Sequence, residues 1–313
     1  MSLIKGHHHI SMLTKNGQQN NRFYQKVLGL RRVKKTVNQD APSMYHLFYG
    51  DLTGSAGTEL TFFEMPTAGR TIRGTNAITR IGLLVPSYDS LLYWKNRFAS
   101  LKVEHSEITT YAGRDAIFFE DHEGLRLVLL NHNGGEKPTD WQPWPDSSVE
   151  IQHQILGMGT IEMTVRSINR TANLLTELFD YTVVSQEEKE AVLQSVEGQP
   201  FGEIVIKQLD GPSEKPGKGS IHHLAIRVNS AEELHEWEEK IKNRGLYTSG
   251  VIDRFYFQSL YFRDRNGILF ELATDGPGFT VDSSIEELGQ ELSLPPFLEG
   301  KRADIEAVLE PLD

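Results

Sequence analysis

The chain has 313 residues, 38% of them hydrophobic and 24% charged, an ordinary composition for a globular protein with room for two cores. The net charge of -11 argues against nucleic acid or an anionic membrane as the main partner, because both are bound through basic patches. The absence of cysteine excludes disulfides, zinc–thiolate sites, iron–sulfur clusters and cysteine nucleophiles. We find no apolar run of transmembrane length and no signal peptide, so we expect a cytoplasmic protein.

One unit recurs four times along the chain, and its pattern predicts a strand, a helix and three further strands. In module one, apolar residues at helical spacing predict a helix over residues 18–28, which Gly29 ends. The strands of module one are predicted around residues 6–13, 31–36, 44–49 and 59–63. Module two is predicted to have a helix at 88–98 and strands at 77–85, 116–120 and 125–130.

A segment rich in proline, glycine, aspartate and tryptophan follows module two and is predicted to be a linker. Module three is predicted to have a helix at residues 168–179 and strands at 159–165 and 203–207. Module four is predicted to have a helix at 231–243 and strands at 220–228, 256–262 and 267–273. The tail departs from the pattern, with a short helix near 302–309. We expect it to pack as an arm over one domain, with a lid or a dimer contact as alternatives.

A module of this kind cannot bury its sheet alone, so the modules should pair. Two modules would form a half-open, curved, eight-stranded mixed sheet, with the helices outside and a concave face inside. The predicted fold class is α+β, with four βαβββ modules in two domains. The predicted boundaries are residues 1–135 for the N-terminal domain, 136–152 for the linker, 153–276 for the C-terminal domain and 277–313 for the arm.

Equivalent positions of the four modules differ in chemistry. At the head of each module, in order along the chain, stand His9, Arg80, Thr160 and His223. Near the end of each last strand stand Thr61, Val128, Ile206 and Glu271. Metal-ligand chemistry occurs at these positions in modules one and four alone, while Arg80 and Glu162 are predicted to form a structural pair. A carboxylate in an apolar strand is costly unless it is paired or binds a cation. We therefore predict one metal site, formed by His9, His223 and Glu271.

Two imidazoles and one carboxylate with open coordination positions are typical of non-haem Fe(II) oxygenases, and Mn(II) can occupy the same ligands. Zinc hydrolysis also uses such ligands, but the chain lacks the helical His-Glu-x-x-His spacing. A single strand histidine is more often a packed residue than a ligand. The prediction depends instead on two His-His-aliphatic strand heads at equivalent repeat positions together with a buried glutamate.

Several segments resemble the vicinal oxygen chelate superfamily, which includes glyoxalase I, bleomycin-resistance proteins and extradiol dioxygenases. The segments that look like its hydroquinone ring-cleaving dioxygenases are His8-His9-Ile10, Tyr45-His46-Leu47-Phe48-Tyr49-Gly50-Asp51, Ile221-His222-His223, Asn266-Gly267-Ile268-Leu269-Phe270-Glu271 and Gly276-Pro277-Gly278-Phe279-Thr280. The resemblance covers nearly the whole chain.

The resemblance implies the same three ligands and a ring-cleaving dioxygenase that uses Fe(II) and O2 to open a hydroquinone- or catechol-type aromatic. It also implies functional roles for His8, His222, Arg254 and Tyr261. Strand alternation points His8 and His222 away from their neighbours, so a β-bulge would be needed for either to reach the substrate. Arg254 could stabilise an anionic substrate or product, and Tyr261 could donate a proton or hydrogen bond.

Two other functions stay open. A glyoxalase-type lyase or isomerase usually has a second acidic ligand, and Thr61 stands at that position here. A metal-free protein that sequesters an aromatic or a drug, like the bleomycin-resistance members, needs no metal triad. The sequence leaves the ring substituents, the cleavage position, iron versus manganese, and the formation of a homo-oligomer open.

Overall fold

The structure is a computed structural model that describes residues 4–312. The strands of modules one and two are β1 (His7–Thr14), β2 (Arg31–Asn38), β3 (Ala41–Gly50), β4 (Glu59–Glu64), β5 (Ala77–Val85), β6 (Thr109–Tyr111), β7 (Arg114–Glu120) and β8 (Arg126–Asn131). The strands of modules three and four are β9 (Gly157–Val165), β10 (Thr182–Gln186), β11 (Glu190–Gln194), β12 (Glu203–Gln208), β13 (Ile221–Val228), β14 (Thr248–Asp253), β15 (Gln258–Arg263) and β16 (Leu269–Thr274). The helices are α1 (Gly17–Arg22), α2 (Tyr88–Leu101), α3 (Ile168–Phe179), α4 (Ala231–Asn243), α5 (Pro296–Glu299) and α6 (Arg302–Glu306).

The strands form two eight-stranded mixed sheets, as the α+β prediction of four βαβββ modules requires. The order in sheet one is β14-β15-β16-β13-β1-β4-β3-β2, and the order in sheet two is β10-β11-β12-β9-β5-β8-β7-β6. Modules one and four thus form sheet one, and modules two and three form sheet two. The predicted division into residues 1–135 and 153–276 does not coincide with the sheets, since each sheet takes one module from either side of the linker. The first strands of the modules pair with each other, β1 with β13 and β5 with β9. These partners are far apart in the sequence, so a local pattern cannot reveal the pairing.

The helices cover the outer faces, and α1, α2 and α4 begin at side-chain caps. Ser87 accepts a hydrogen bond from the backbone of Ser90 at the start of α2, and Ser230 caps α4 in the same way. Helix α2 buries Trp94 and Phe98, and α4 buries Trp237. The predicted first helix is shorter than expected, because α1 passes into a π-helical turn at Phe23–Val27.

The sequence pattern does not predict four of the strands, β6, β10, β11 and β14. β6 is only three residues long, and all five residues of β10 are exposed. β14 has at most half-buried residues. Strands β6, β10 and β14 lie at the edges of the sheets. An edge strand is largely open to solvent, so its residues need not alternate between apolar and polar.

The C-terminal arm packs against sheet one, as the arm prediction expects. It contacts β2, where the fully buried Lys34 donates to Asp282 at 2.6 Å. Tyr256 donates to the other oxygen of Asp282 at 3.0 Å, and Phe279 packs on the rings of Phe48 and Tyr256. Within residues 4–312, none of the helices combines the length and apolarity needed to span a bilayer.

Candidate metal centre and its pocket

His9, His223 and Glu271 converge at the middle of sheet one, on the adjacent strands β1, β13 and β16. The Nε2 atoms of the two imidazoles lie 3.2 Å apart. Glu271 Oε2 lies 3.1 Å from His9 Nε2 and 2.8 Å from His223 Nε2. All three side chains are buried. The structure thus brings together the three residues predicted from the repeat.

Two β-bulges bring neighbouring histidines to the same place. The pairs His7–Ile226 and Ile10–Leu224 leave one extra residue in β1, around His8 and His9. A second irregularity leaves one extra residue in β13, next to His223. Successive side chains of a regular strand point to opposite faces, and a bulge relaxes that alternation. The bulges explain how two consecutive histidines can contact each other on each strand.

His8 fixes the proton position on His9. The Nε2 of His8 lies 3.0 Å from the carbonyl oxygen of Thr274, which can only accept, so this nitrogen carries the proton. Burial, and next the neighbouring His9, lower the pKa of His8 to about 3, which keeps the ring neutral. Its Nδ1 therefore accepts from His9 Nδ1 at 3.0 Å, and His9 Nε2 is the nitrogen that faces Glu271.

His222 has the same relation to His223, with the two Nδ1 atoms 2.8 Å apart. Burial, and next the neighbouring His223, lower the pKa of His222 to about 4. Unlike His8, the His222 side chain is partly exposed to solvent. Neither His8 nor His222 is among the residues that line the cavity. Each contacts Nδ1 of the neighbouring candidate ligand, the ring nitrogen that points away from the triad.

Glu271 has the donor set of a metal ligand. Its Oε1 accepts from Ser259 at 2.5 Å, whereas its buried Oε2 accepts no hydrogen bond from the described residues. Burial alone would raise the pKa of Glu271, but the two imidazoles lower it well below the usual range and keep the carboxylate charged. Ligand atoms at adjacent positions around an ion with bonds of about 2.1 Å are about 3.0 Å apart, close to the separations observed. The residues therefore fit a divalent metal.

A second acidic residue, Glu59, lies behind the centre. It is buried, its Oε1 is 3.9 Å from His8 Nδ1, and burial raises its pKa well above the usual range. His8, His9 and Glu59 form a second group with ligand-type atoms close together. This group fits a metal less well, because His8 Nδ1 accepts from His9 and has no lone pair left for an ion.

A cavity opens beside the triad on the concave face of sheet one. Arg254 and Tyr261 line it together with His9 and His223. Burial raises the pKa of Tyr261, so the phenol stays protonated at neutral pH. Arg254 lies in the turn after β14 and pairs with Asp40 at 3.1 Å. Burial opposes its charge, but Asp40 and Tyr261 raise the pKa of Arg254.

The opposite wall of the cavity contains Ser11 and His46, to which the sequence assigned no role, and Thr61 lies behind them. Ser11 and Thr61 join their hydroxyl groups at 2.7 Å, and His46 Nε2 lies 3.0 Å from Thr61 Oγ1. The His46 ring stacks on Phe63 and packs at a tilt against Phe48, with ring centroids 4.1 and 4.0 Å away. His46 stands within a segment quoted for the resemblance, but no repeat comparison marks it, since only modules one and four carry ligands.

Thr61 occupies the position in module one that Glu271 occupies in module four. Ser11 pairs with Thr61 between β1 and β4, as Ala225 pairs with Glu271 between β13 and β16. The second acidic ligand position is therefore filled by a neutral hydroxyl.

Comparisons with known proteins show the family to which the chain belongs. The model of a family described as "Glyoxalase/Bleomycin resistance protein/Dioxygenase superfamily" matches residues 6–129 and 157–272. The chain is 48% identical to "Putative ring-cleaving dioxygenase MhqA" of Bacillus subtilis over 99% of both proteins. It is 29% identical to "Chlorohydroquinone/hydroquinone 1,2-dioxygenase" of Sphingobium indicum, over 96% of this chain and 95% of that protein. The crystal structure of a "putative dioxygenase" from Bacillus subtilis, 31% identical, superposes with a TM-score of 0.92 and covers 100% of this chain and 99% of its own.

Proposed function

The chain belongs to the Glyoxalase/Bleomycin resistance protein/Dioxygenase superfamily, and within it we propose that this protein is an extradiol-type ring-cleaving dioxygenase that opens a hydroquinone- or catechol-type aromatic with O2. The observation that carries the proposal is the meeting of His9, His223 and Glu271 within 3.2 Å beside a cavity. The 48% identity to a protein named as a ring-cleaving dioxygenase supports the reaction type. The name of the 29% identical relative suggests a hydroquinone as the substrate class.

We propose Fe(II) as the metal, with Mn(II) as the alternative that the same ligands accept. A bound metal would supply the chemistry that side chains lack, since it holds an ionised hydroxyl and activates dioxygen. The chain supplies the Nε2 atoms of two imidazoles and one carboxylate. His8 and His222 fix the tautomers of these imidazoles from behind.

Residues around the cavity would handle the substrate's charge and protons. Tyr261, which stays protonated, can donate a hydrogen bond to a substrate oxygen. Arg254 can stabilise the negative charge that develops as the ring opens to an unsaturated acid. His222 lies behind His223 and does not line the cavity, so we propose that it orients this ligand rather than taking a proton from the substrate.

The glyoxalase-type alternative is less well supported by the site. Thr61 replaces the second acidic ligand and is held in a neutral hydrogen-bond chain with Ser11 and His46. A metal-free binding protein would have no reason to bury the unpaired Oε2 of Glu271 between two imidazoles.

Oxygen uptake tests the proposal. The protein is loaded with Fe(II) without air and then given methylhydroquinone, hydroquinone or catechol in aerated buffer, with His9→Ala and Glu271→Ala as controls. We expect oxygen consumption with a new ring-opened chromophore in the wild type, and neither in the two variants. With isotopically labelled O2, both atoms should enter the product, because a dioxygenase adds the whole molecule. No uptake by protein shown to contain iron would reject the proposal for these substrates.

A further inference from the structure

We propose that His46 is a specificity-determining residue that binds the ring hydroxyl of the substrate farthest from the metal. The proposal rests on the proposed function for the identity of the substrate class. The observations that carry it are the position of His46 in the cavity wall, its aromatic surroundings and its hydrogen-bond chain to Thr61 and Ser11.

The sheet order separates the two walls of the cavity. Tyr261 and Glu271 lie on β15 and β16, on one side of the central strands β13 and β1. His46 and Thr61 lie on β3 and β4, on the other side. A ring held at the triad with its first hydroxyl towards Tyr261 therefore presents its opposite position to the wall that contains His46. In a hydroquinone, this opposite position carries the second hydroxyl.

His46 is held in one orientation. Its ring stacks on Phe63 and packs at a tilt against Phe48, and its Nε2 is fixed by Thr61. Thr61 is fixed in turn by Ser11. Nδ1 of His46 makes no hydrogen bond with any described residue, and it is not among the fully buried atoms that lack a partner, so it remains accessible. A ring with one fixed nitrogen and one free nitrogen, in the wall of a cavity, is arranged to bind a polar ligand atom.

The imidazole suits a phenolic hydroxyl. Burial, and next the nearby His9 and His223, lower the pKa of His46 well below its ordinary value, so the ring is neutral. A neutral imidazole has one nitrogen that donates and one that accepts. If Thr61 donates to Nε2 of His46, Nδ1 donates to the substrate hydroxyl; if Thr61 accepts from Nε2, Nδ1 accepts from that hydroxyl. A phenolic hydroxyl can match either direction, whereas a hydrogen or methyl group on the ring can match neither.

Binding measured without oxygen tests the role apart from turnover. Calorimetry on Fe(II)-loaded protein under nitrogen gives the Kd of hydroquinone and of phenol, which differ by the second hydroxyl. We expect the wild type to bind hydroquinone about fivefold more tightly, the effect of one neutral hydrogen bond of about 1 kcal/mol. In His46→Phe, which keeps an aromatic ring in the stack, this preference should disappear while the Kd of phenol changes less than twofold. His235→Phe, on the exposed face of α4, is the matched control and should keep the preference.

A second variant keeps the test valid if His46→Phe does not fold. Thr61→Val removes the hydroxyl that fixes His46 and should reduce the preference by about half. An unchanged preference in both variants, an equal loss of both ligands, or no preference in the wild type would each overturn the proposal. The proposed function fails separately, because a wild type that binds hydroquinone selectively but consumes no oxygen refutes the dioxygenase and leaves the role of His46 standing.

Discussion

The two sheets have the same architecture and opposite chemistry at their centres. Both have the same strand order, and both have bulges in their central strands at equivalent places. In sheet one, His9 and His223 face Glu271 beside a cavity. In sheet two, Arg80 and Thr160 stand at the corresponding positions and Val205 takes the place of the glutamate, while Thr160 donates to Glu203 at the start of β12 at 2.6 Å.

Salt bridges and hydrogen bonds occupy the centre of sheet two. Glu162 lies 3.8 Å from Arg80 and 2.9 Å from Lys207, and accepts from Tyr111 at 2.9 Å. Burial opposes the charge of Glu162, but Lys207 and Arg80 lower its pKa. The predicted structural pair of Arg80 and Glu162 is thus part of a network in which positive and negative side chains balance one another. The backbone of a module is therefore compatible with either a metal centre or an ion-pair network, and a few side chains decide between them.

Neutralising the carboxylate at each centre should give the largest contrast. Glu271→Gln removes the charge that holds a divalent cation, so we expect loss of bound metal and at least a thousandfold lower kcat. Glu162→Gln should leave both unchanged and lower the free energy of unfolding by about 2 kcal/mol, because it weakens a partly buried network. Metal analysis, oxygen uptake and urea unfolding measure the three quantities. Equal activity of the two variants would contradict the assignment of the centre to sheet one.

Acid should destabilise the region around sheet one through His7, whose counterpart in sheet two is Ile78. Burial lowers the pKa of His7 to about 4, below its ordinary value of 6.5, so the unfolded chain binds a proton first as the pH falls. Stability is therefore full above pH 6.5 and decreases towards pH 4, by roughly 3 kcal/mol for this residue. His7→Gln preserves the donor to the Glu203 carbonyl and should remove this part of the loss. Urea unfolding of the metal-free proteins at several pH values measures it, and parallel curves for the two proteins would refute the role of His7.

The arm stabilises sheet one, whereas the edge strand β10 of sheet two is exposed. Lys34→Met leaves Asp282 without its buried partner, and we expect the free energy of unfolding to fall by roughly 2 kcal/mol. KM should rise as well, because Asp282 also holds Tyr256 in the cavity wall. Lys207→Met in sheet two, at a half-exposed site, should cost less than about 1 kcal/mol and leave KM unchanged. A similar cost for both variants would mean that the arm does not set the difference.

The smallest effect is expected from the residue that fixes the His9 tautomer. His8→Phe removes the acceptor for His9 Nδ1 while keeping a ring, and metal affinity should fall about tenfold. Thr79→Val, at the equivalent bulge of sheet two, should leave metal affinity unchanged. Competition with a chromogenic chelator measures both. An unaltered affinity in His8→Phe would show that His9 selects its tautomer without help.

The sequence alone determined most of the modules and the three candidate ligands that the structure brings together. Helix α4 spans residues 231–243 and α3 spans 168–179, as their apolar spacing predicts, because these helices bury one regular stripe. Comparison of repeat positions selected His9, His223 and Glu271, since a metal site needs residue types that the other modules lack. The counterpart of Glu271 in module three is Val205 rather than the predicted Ile206, because Glu162 pairs with Val205.

Only the tertiary structure decided which modules share a sheet and what each second residue does. Pairing of β1 with β13 depends on contacts more than 200 residues apart, for which no local periodicity exists. The bulges that turn His8 and His222 towards the far nitrogens of the ligands are also set by that pairing. The position of His46 was also decided by strand pairing, since the packing of β3 and β4 in sheet one brings its ring to the cavity wall. Local pattern fixes which residues can do chemistry, and strand pairing fixes which of them meet.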